Sequence, residues 1–544
     1  MANLWYRNAV VYCVDVKSFM DANGDGTGDF TGLADRLDHL ERLGVTCLWL
    51  NPFYPSPRRD NGYDIADYYS VDPALGTLGD FVEFMQAARD RGMRVIVDLV
   101  VNHTSDQHPW FQSARADPAS PYRDWYVWRD EKPANADDGV VFPGVQKSVW
   151  SYDQMARAWY MHRFYKFQPD LNVTNPAVRT EILKIMGFWL ELGVSGFRVD
   201  AVPFLIEPRG VPTDAPVTDP YSFLTEIHDF LSWRRAEAVL LAEANINYDL
   251  AQDYFDAGDR MTMVFDFFGN QHLFLSLARQ TAAPLRRALA SRPAPTGMGQ
   301  WANFLRNHDE LDLGRLTQQE REECFAAFGP KKSMQIYERG IRRRLASMLD
   351  GDERRIKLAF SLMLSLPGTP VLFYGDEIGM GDDQSLTERE AVRTPMQWSH
   401  QANGGFSTAP ADKLVRPVIA SGKFGYKQVN AAAQVHRPGS LFHAISDMIS
   451  TRRSAPEIGW GTPNLIDVGD DDLLVLSAAW RGNFIVVAHN FSDQPKTFTL
   501  HLDGVEGLLP MLASDAPLDP MGPHHSIPLA PFGYCWLRGN NERR

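Results

Sequence analysis

Basic residues are in the minority. The chain has 54 Lys and Arg against 68 Asp and Glu, a formal charge of −14, and neither a Lys/Arg cluster nor a nucleic-acid motif interrupts that acidic balance. Nucleic acid is therefore not an expected partner. No apolar run approaches the ~20 residues needed to span a bilayer. The leading Met-Ala-Asn-Leu-Trp-Tyr-Arg-Asn lacks a basic region followed by an apolar stretch and a small-residue cleavage site. Neither membrane insertion nor secretion is expected. Cysteine is scarce: Cys13, Cys47, Cys324 and Cys535 are scattered without metal-ligand spacing, and the first two fall in strand-like runs where buried free thiols are common. A reducing cytoplasm fits this usage. No Gly-rich phosphate fingerprint follows the first strand-like run, which argues against a doubly wound nucleotide-binding sheet, and no organic cofactor is implied.

What is present is a chain of 544 residues, 44% hydrophobic and 22% charged, enough for a large core and more than one domain. Eight near-continuously apolar runs, at 10–16, 45–50, 94–100, 194–200, 239–243, 263–266, 301–305 and 369–374, read as strands covered on both faces. Helical patterns at 33–43, 81–91, 178–192 and 221–233 lie between them, with Gly44, Gly92 and Gly193 placed as stops. This alternation predicts an α/β fold, a (β/α)8 TIM barrel formed by residues 1–103 and 175–455. Residues 104–174, rich in Pro, aromatic and charged residues, are too long for a βα loop and predict an inserted small domain. Residues 311–355, with Arg339, Arg342, Arg343 and Arg344, predict a helical insertion, either a lid or a solvated helical pair. After a helix at 441–453, short strand patterns at 472–480, 483–489, 496–502 and 534–537 predict a C-terminal antiparallel β-sandwich over 456–544.

Four segments deliver polar groups where apolar runs stop: Asp98-Leu-Val-Val-Asn-His103, Gly196-Phe-Arg-Val-Asp200, Leu241-Ala-Glu243 and Asn307-His-Asp309. Barrel strands converge at their C-terminal ends, so Asp200, Glu243 and Asp309 can surround one substrate atom. Any one of them alone would cap a helix or face solvent. Together they suit glycoside hydrolysis with retention, which needs a nucleophile and an acid/base roughly 5 Å apart. Asp200 is the expected nucleophile, kept ionised by Arg198 two residues earlier on the same strand face. Glu243, among apolar residues and other carboxylates, is expected to keep its proton. Asp309 suits hydrogen bonds to hydroxyls of the distorted ring, with His103 and His308 as further donors. Separately, Asp21-Ala-Asn-Gly-Asp-Gly-Thr-Gly-Asp29 places oxygens of Asp21, Asn23, Asp25, Thr27 and Asp29 at alternate positions, as a calcium loop does. Gly32 stands where a full EF-hand has its bidentate Glu, magnesium is the alternative ion, and a metal-free Asx-rich turn is the plain structural reading.

In order and content the four segments resemble the signature regions of the α-amylase superfamily of glycoside hydrolases, and the likeness runs almost end to end. It implies the same three roles for Asp200, Glu243 and Asp309, with Arg198, His103 and His308 lining a glucose site. Asp60-Asn-Gly-Tyr-Asp64 is similar to the segment that closes the pocket in exo-acting α-glucosidases, which implies that Asp60 pairs with Arg393 and that Tyr63 stacks on the sugar. Within the superfamily the chain resembles the trehalose synthases, through Pro52-Phe-Tyr-Pro-Ser-Pro57 and Asn307-His-Asp-Glu-Leu311 among others. That likeness implies a second structural calcium held by Asn102, Asp170 and Glu207 with the backbone oxygens of Phe204 and Leu205. The chain departs from the group at Ser385-Leu-Thr-Glu-Arg389, where Tyr-Leu-Gly-Asp-Arg is usual, and at Asp312-Leu-Gly-Arg315. Three readings follow: a maltose/trehalose isomerase, an exo-acting α-glucosidase or transglucosidase on maltose, trehalose or sucrose, and a non-catalytic binding member. The complete carboxylate set disfavours the last. An α-linked glucose disaccharide is the expected partner, and a homo-oligomer is compatible with the sequence.

Overall fold

The computed structural model describes residues 4–207, 219–500, 505–514 and 526–541. Eight parallel strands close into a barrel: β1 (Val11–Val14), β2 (Cys47–Leu50), β3 (Arg94–Leu99), β4 (Gly196–Val199), β5 (Val239–Ala242), β6 (Met263–Phe265), β7 (Gln300–Phe304) and β8 (Thr369–Phe373). They follow one another around the wall, and β8 pairs with β1 through Val11, Tyr12 and Cys13. Such strands have packed side chains inside and helices outside, so every residue of β1 and β2 is buried and the sequence shows no alternation.

The helices begin and end where the capping chemistry places them. Leu78–Asp90 opens on a reciprocal Thr77/Asp80 capping box, and Pro176–Glu191 opens on Asn175 with Pro in its first turn. Gly44, Gly92 and Gly193 take φ of 96°, 70° and 101°, the left-handed geometry that ends a helix. The helix expected at 33–43 is two, Phe30–Asp35 and Leu37–Leu43, broken at Arg36.

Between β3 and β4 the inserted segment forms a helix, Pro109–Ala116, and a three-stranded antiparallel sheet of Trp128–Arg129, Ala158–Met161 and Trp150–Asp153. Between β7 and β8 the second insertion contains the helix Gln318–Phe328 and a small antiparallel sheet of Leu311–Asp312, Gly340–Ile341 and Gln335–Ile336, which helical patterning did not foretell. Its arginines are not a solvated face. Buried Arg344 donates to the carbonyls of Tyr374 and Val392 at 2.7 and 2.9 Å, and Arg342 donates to that of Leu386 at 2.5 Å.

The C-terminal region is antiparallel: five strands in the order Thr462–Ile466, Leu473–Trp480, Asn483–Asn490, Tyr534–Asn541 and Val505–Ala513, and a separate pair of Lys496–Thr499 with Ser526–Leu529. His501 and Leu502, expected to continue a strand, lie outside the described residues. Period-two alternation divides the five-stranded sheet. Leu473 and Val475 join Phe498 and Ile527 in a core between the two sheets, whereas Leu474, Leu476 and Trp536 pack against the barrel. The Trp536 indole donates to Ser361 on the helix before β8 at 2.9 Å. Among the described residues no helix is long and apolar enough to cross a membrane, and all four cysteines are free and buried.

Candidate active site

Parallel register aligns the chemistry. Asp98 on β3 lies level with Arg198 on β4, and Val199 lies level with Ala242 on β5. Asp200 and Glu243 are therefore the next residues on adjacent strands, their amides bonded to the carbonyls of Leu99 and Val199. The Arg198 guanidinium, 1% exposed, joins the carboxyls: one Nη contacts Asp98 at 2.8 Å and also Asp200, while the other lies 2.8 Å from Glu243 Oε2. Two carboxyls on adjacent nitrogens of one planar fork stand close together, as the roughly 5–5.5 Å separation of retaining enzymes demands.

Arg198 thus serves both carboxyls, not Asp200 alone as the sequence suggested, and their difference has other causes. Burial raises Asp200 to about 6, with Arg198 opposing it. Burial raises Glu243 to about 8, Arg198 again opposing while the charges of Asp200 and Asp309 push further up. At neutral pH the first is mostly a carboxylate and the second mostly an acid. Glu243 Oε2 also accepts from the Ala201 amide at 3.0 Å, which leaves Oε1 to carry the proton. Ala201 holds φ at +50°, a left-handed backbone that costs a non-glycine residue roughly 1 kcal/mol or more and turns that amide onto Glu243.

Asp309 follows β7. Burial acts upward on its carboxyl but is outweighed by the guanidiniums of Arg389 and Arg393, with the His308 ring nitrogen 3.1 Å away, and the carboxyl is held well below the usual carboxylate range. These arginines approach Asp309 Oδ1 to 2.7 and 3.0 Å. His308 is kept neutral by burial; its Nδ1 faces Asn51 at 3.4 Å, and its Nε2 faces the Tyr63 hydroxyl at 2.6 Å and Asp309 at 3.1 Å. The Asn51 amide donates to Nδ1, so Nε2 carries the hydrogen, and the Tyr63 hydroxyl passes its own to Asp98 at 3.1 Å. Tyr63 lies parallel to the His308 ring, interplanar angle 5°.

These groups meet at a cavity of about 270 Å³. Six of the nine catalytic and sugar-contact residues expected from sequence line it: Asp60, Tyr63, His103, Asp200, Glu243 and Asp309. Arg198, His308 and Arg393 are buried behind the wall and act through the carboxylates they hold. The expected Asp60–Arg393 pair is corrected. Arg389 is the partner of Asp60, at 2.7 Å, and one fork spans Asp60 and Asp309. Arg393 is drawn aside by the His308 carbonyl at 2.7 Å and by Glu390 at 3.4 Å. Sequence reasoning assigned no role to Asp98 or Arg389. Asp98 was visible as a carboxylate near the end of an apolar run, but its alignment with Arg198 was not; Arg389 was visible only as the end of the divergent stretch 385–389. The cavity's far side is formed by Phe142 and Phe164 from the inserted domain and by Glu310, Asp312, Arg315 and Arg339 from the second insertion.

The two expected metal sets differ in fit. In the Asp21 loop all donors are oxygens, as a hard cation requires. Asp21 accepts from the amides of Gly24 and Gly26 at 2.7 and 2.8 Å and from the Ser407 hydroxyl at 2.5 Å, and Asp29 accepts from the amides of Ala22, Asn23 and Gly32 at 3.0, 3.3 and 2.6 Å, so the Oδ2 of each already accepts two hydrogen bonds and only the Oδ1 of each keeps a lone pair open to an ion. Gly26 has φ +100°, and a Cβ there would meet the Lys413 carbonyl at 2.2 Å, so the loop tolerates only glycine at its turn. In the second set, Asn102 Nδ2 lies 3.3 Å from Asp170, and the Phe204–Leu205 turn follows Ala201. Here Arg163 stands 3.3 Å from Asp170 and donates to the Glu207 carbonyl, so any cation shares Asp170 with a guanidinium. Among the described residues, no three His, Cys, Asp or Glu group as ligands; both sets depend on amide, hydroxyl and backbone oxygens.

A family model described as the alpha amylase catalytic domain matches residues 14–461. A trehalose synthase of Pimelobacter sp. (strain R48) is 41% identical over 553 residues, covering 98% of this chain and 96% of the relative. A trehalose synthase of Thermus thermophilus is 42% identical over 538 residues; the alignment takes in 98% of this chain, which spans only 55% of that relative. Among solved structures, the trehalulose synthase MutB from Pseudomonas mesoacidophila MX-45 superposes with a TM-score of 0.81 at 30% identity, covering 98% of this chain and 99% of that one. An inactive double mutant of MutB has been solved in complex with isomaltulose.

Proposed function

The chain belongs to the α-amylase family, and from that premise we propose that it is a retaining α-glucoside enzyme that interconverts maltose and trehalose. The observation that carries this reading is the single guanidinium of Arg198 joining a carboxylate and a protonated carboxyl at one end of a cavity whose other end is walled by two insertions. Asp200 attacks the anomeric carbon while Glu243 Oε1 gives its proton to the glycosidic oxygen. The leaving sugar departs as a hydroxyl and a covalent β-glucosyl ester remains. The departing glucose stays enclosed, reorients, and presents a different hydroxyl. Glu243, now a carboxylate, takes that proton as the oxygen attacks the ester and restores the α-linkage. Asp309, held ionised by Arg389 and Arg393, stabilises the positive charge that develops on the ring at each step.

Isomerisation requires that water be excluded while the freed sugar turns, which is the task of the walls rather than of the carboxylates. The divergent stretch 385–389 favours, as a second reading, an exo-acting hydrolase or transglucosidase. Incubation with maltose, trehalose and sucrose in turn, followed by NMR, separates the two. Maltose and trehalose interconverting with little free glucose supports the isomerase, and rapid release of α-glucose refutes it.

Structural calcium, or magnesium, at the Asp21–Asp29 loop completes the proposal, with a second ion at Asn102, Asp170 and Glu207. Ions that bind only the folded state raise its melting temperature, so calorimetry with and without chelator should show a drop of a few degrees. An unchanged transition counts against both sites. The four separate buried thiols support a reducing, cytoplasmic setting.

A further inference from the structure

Two residues in the left-handed region, neither a glycine, meet above the cavity. Tyr337, at φ +53°, turns the hairpin of the second insertion, and Glu388, at φ +42°, precedes Arg389 on the short helical turn Glu388–Val392. Glu388 Oε2 accepts from the Tyr337 hydroxyl at 3.3 Å and from the hydroxyl of Tyr165, and the two hydroxyls lie 3.2 Å apart. Tyr165 comes from the inserted domain, Tyr337 from the second insertion and Glu388 from the loop after β8, so one carboxylate ties together three segments distant in sequence. Phe142 packs against both tyrosine rings, at 4.8 and 4.5 Å between centroids, and its face carries the Arg389 guanidinium at 5.1 Å. Arg342 adds a bond to the Glu388 carbonyl at 3.1 Å. Strained backbone persists only where its surroundings over-determine it, and here it is held at the junction that aims Arg389 at Asp60 and Asp309.

We infer that Glu388 is a positioning residue that fastens the roof of the pocket, holding Arg389 and the two insertions together so that the freed sugar, and not water, reaches the glucosyl-enzyme. The inference deepens the isomerase reading and rests on it. Glu388 touches no reacting atom; its carboxylate, bonded to Tyr165 and Tyr337, fixes how far the roof stands from the barrel.

The test uses the full chain with Glu388→Gln and Tyr337→Phe. Losing a hydrogen bond at this node is worth about a fivefold shift, so the ratio of free glucose to isomer from maltose should rise about fivefold or more in either variant. The Michaelis constant for disaccharide should rise while turnover of an aryl α-glucoside, which needs no retained sugar, stays within about twofold. Glu388→Asp should recover part of the ratio. Hydrogen exchange of residues 335–342 and 385–392 should quicken together in Glu388→Gln, a readout that does not depend on the products. A wild-type enzyme that makes no isomer refutes the isomerase reading, and the exchange result then decides the fastening role by itself. A folded Glu388→Gln protein with wild-type partition and wild-type exchange overturns the inference, as does a uniform loss of melting temperature and of both activities. If Glu388→Gln does not fold, Tyr337→Phe, which keeps the charge and the ring, decides in the same way.

Discussion

The two ends of the cavity are built differently. At the glucose end, Asp200 and Glu243 follow directly on β4 and β5, Asp309 lies five residues past the end of β7, and Arg198 and Asp98 lie on the strands themselves. At the acceptor end, Phe142, Glu310, Arg339 and Arg389 come from two insertions and a loop, joined at residues with left-handed backbones. Strand ends are fixed by ladder hydrogen bonds that every member of such a barrel shares, whereas loops are free to vary. On the proposed reading the chemistry therefore belongs to the barrel, and the fate of the freed sugar belongs to the additions.

The sharpest way to break this division is at the glucose end. Asp200→Asn should lower turnover about 10⁴-fold or more on every substrate while the melting temperature changes little. Activity near wild type, measured with any α-glucoside, would remove Asp200 as nucleophile. Glu243→Gln should cost about 10²–10⁴-fold on disaccharides and far less on aryl glucosides, whose leaving groups need no proton. Equal losses on both would count against the acid role.

Arg389→Lys sits on the boundary. A lysine reaches Asp60 or Asp309 but cannot bridge both as the fork does, so kcat/KM for disaccharides should fall on the order of 10–100-fold, with a larger share in KM than Asp200→Asn shows. If the loss instead equals that at Asp200, the boundary is drawn in the wrong place. The pH profile is the mildest probe. Protonation of Asp200 should bring kcat/KM down below about 6, and deprotonation of Glu243 should bring it down above about 8, giving a bell whose limbs belong to the coupled pair. A profile flat from 5 to 9, on a scale where such groups shift activity about tenfold per unit beyond each limb, would contradict the assignment.

The same division explains what the sequence made legible. The eight strands were readable because double-sided burial writes itself as apolar runs, and Asp200, Glu243 and Asp309 were readable because they end or closely follow those runs. Arg198 was placed by strand phase, but its bond to Glu243 was not, since nothing in one strand states its register against the next. Arg393 was assigned to Asp60 by likeness, whereas Arg389, four residues earlier, holds that place: a one-turn difference on an irregular loop leaves no periodic signal. The small sheet at 311–341 went unread because its strands are two residues long. In the C-terminal region the strands Thr462–Ile466 and Ser526–Leu529 escaped for a related reason, since each carries a proline and sits at an edge.

The central claim is that the glucose released from Asp200's side never leaves the cavity before it becomes the acceptor. The direct test is isomerisation of unlabelled maltose in a large excess of ¹³C-glucose, with the trehalose formed read by NMR. Trehalose essentially free of label is the expected result, and trehalose labelled to the level of the surrounding glucose would show that the sugar escapes, contradicting the closed pocket and the isomerase mechanism built on it.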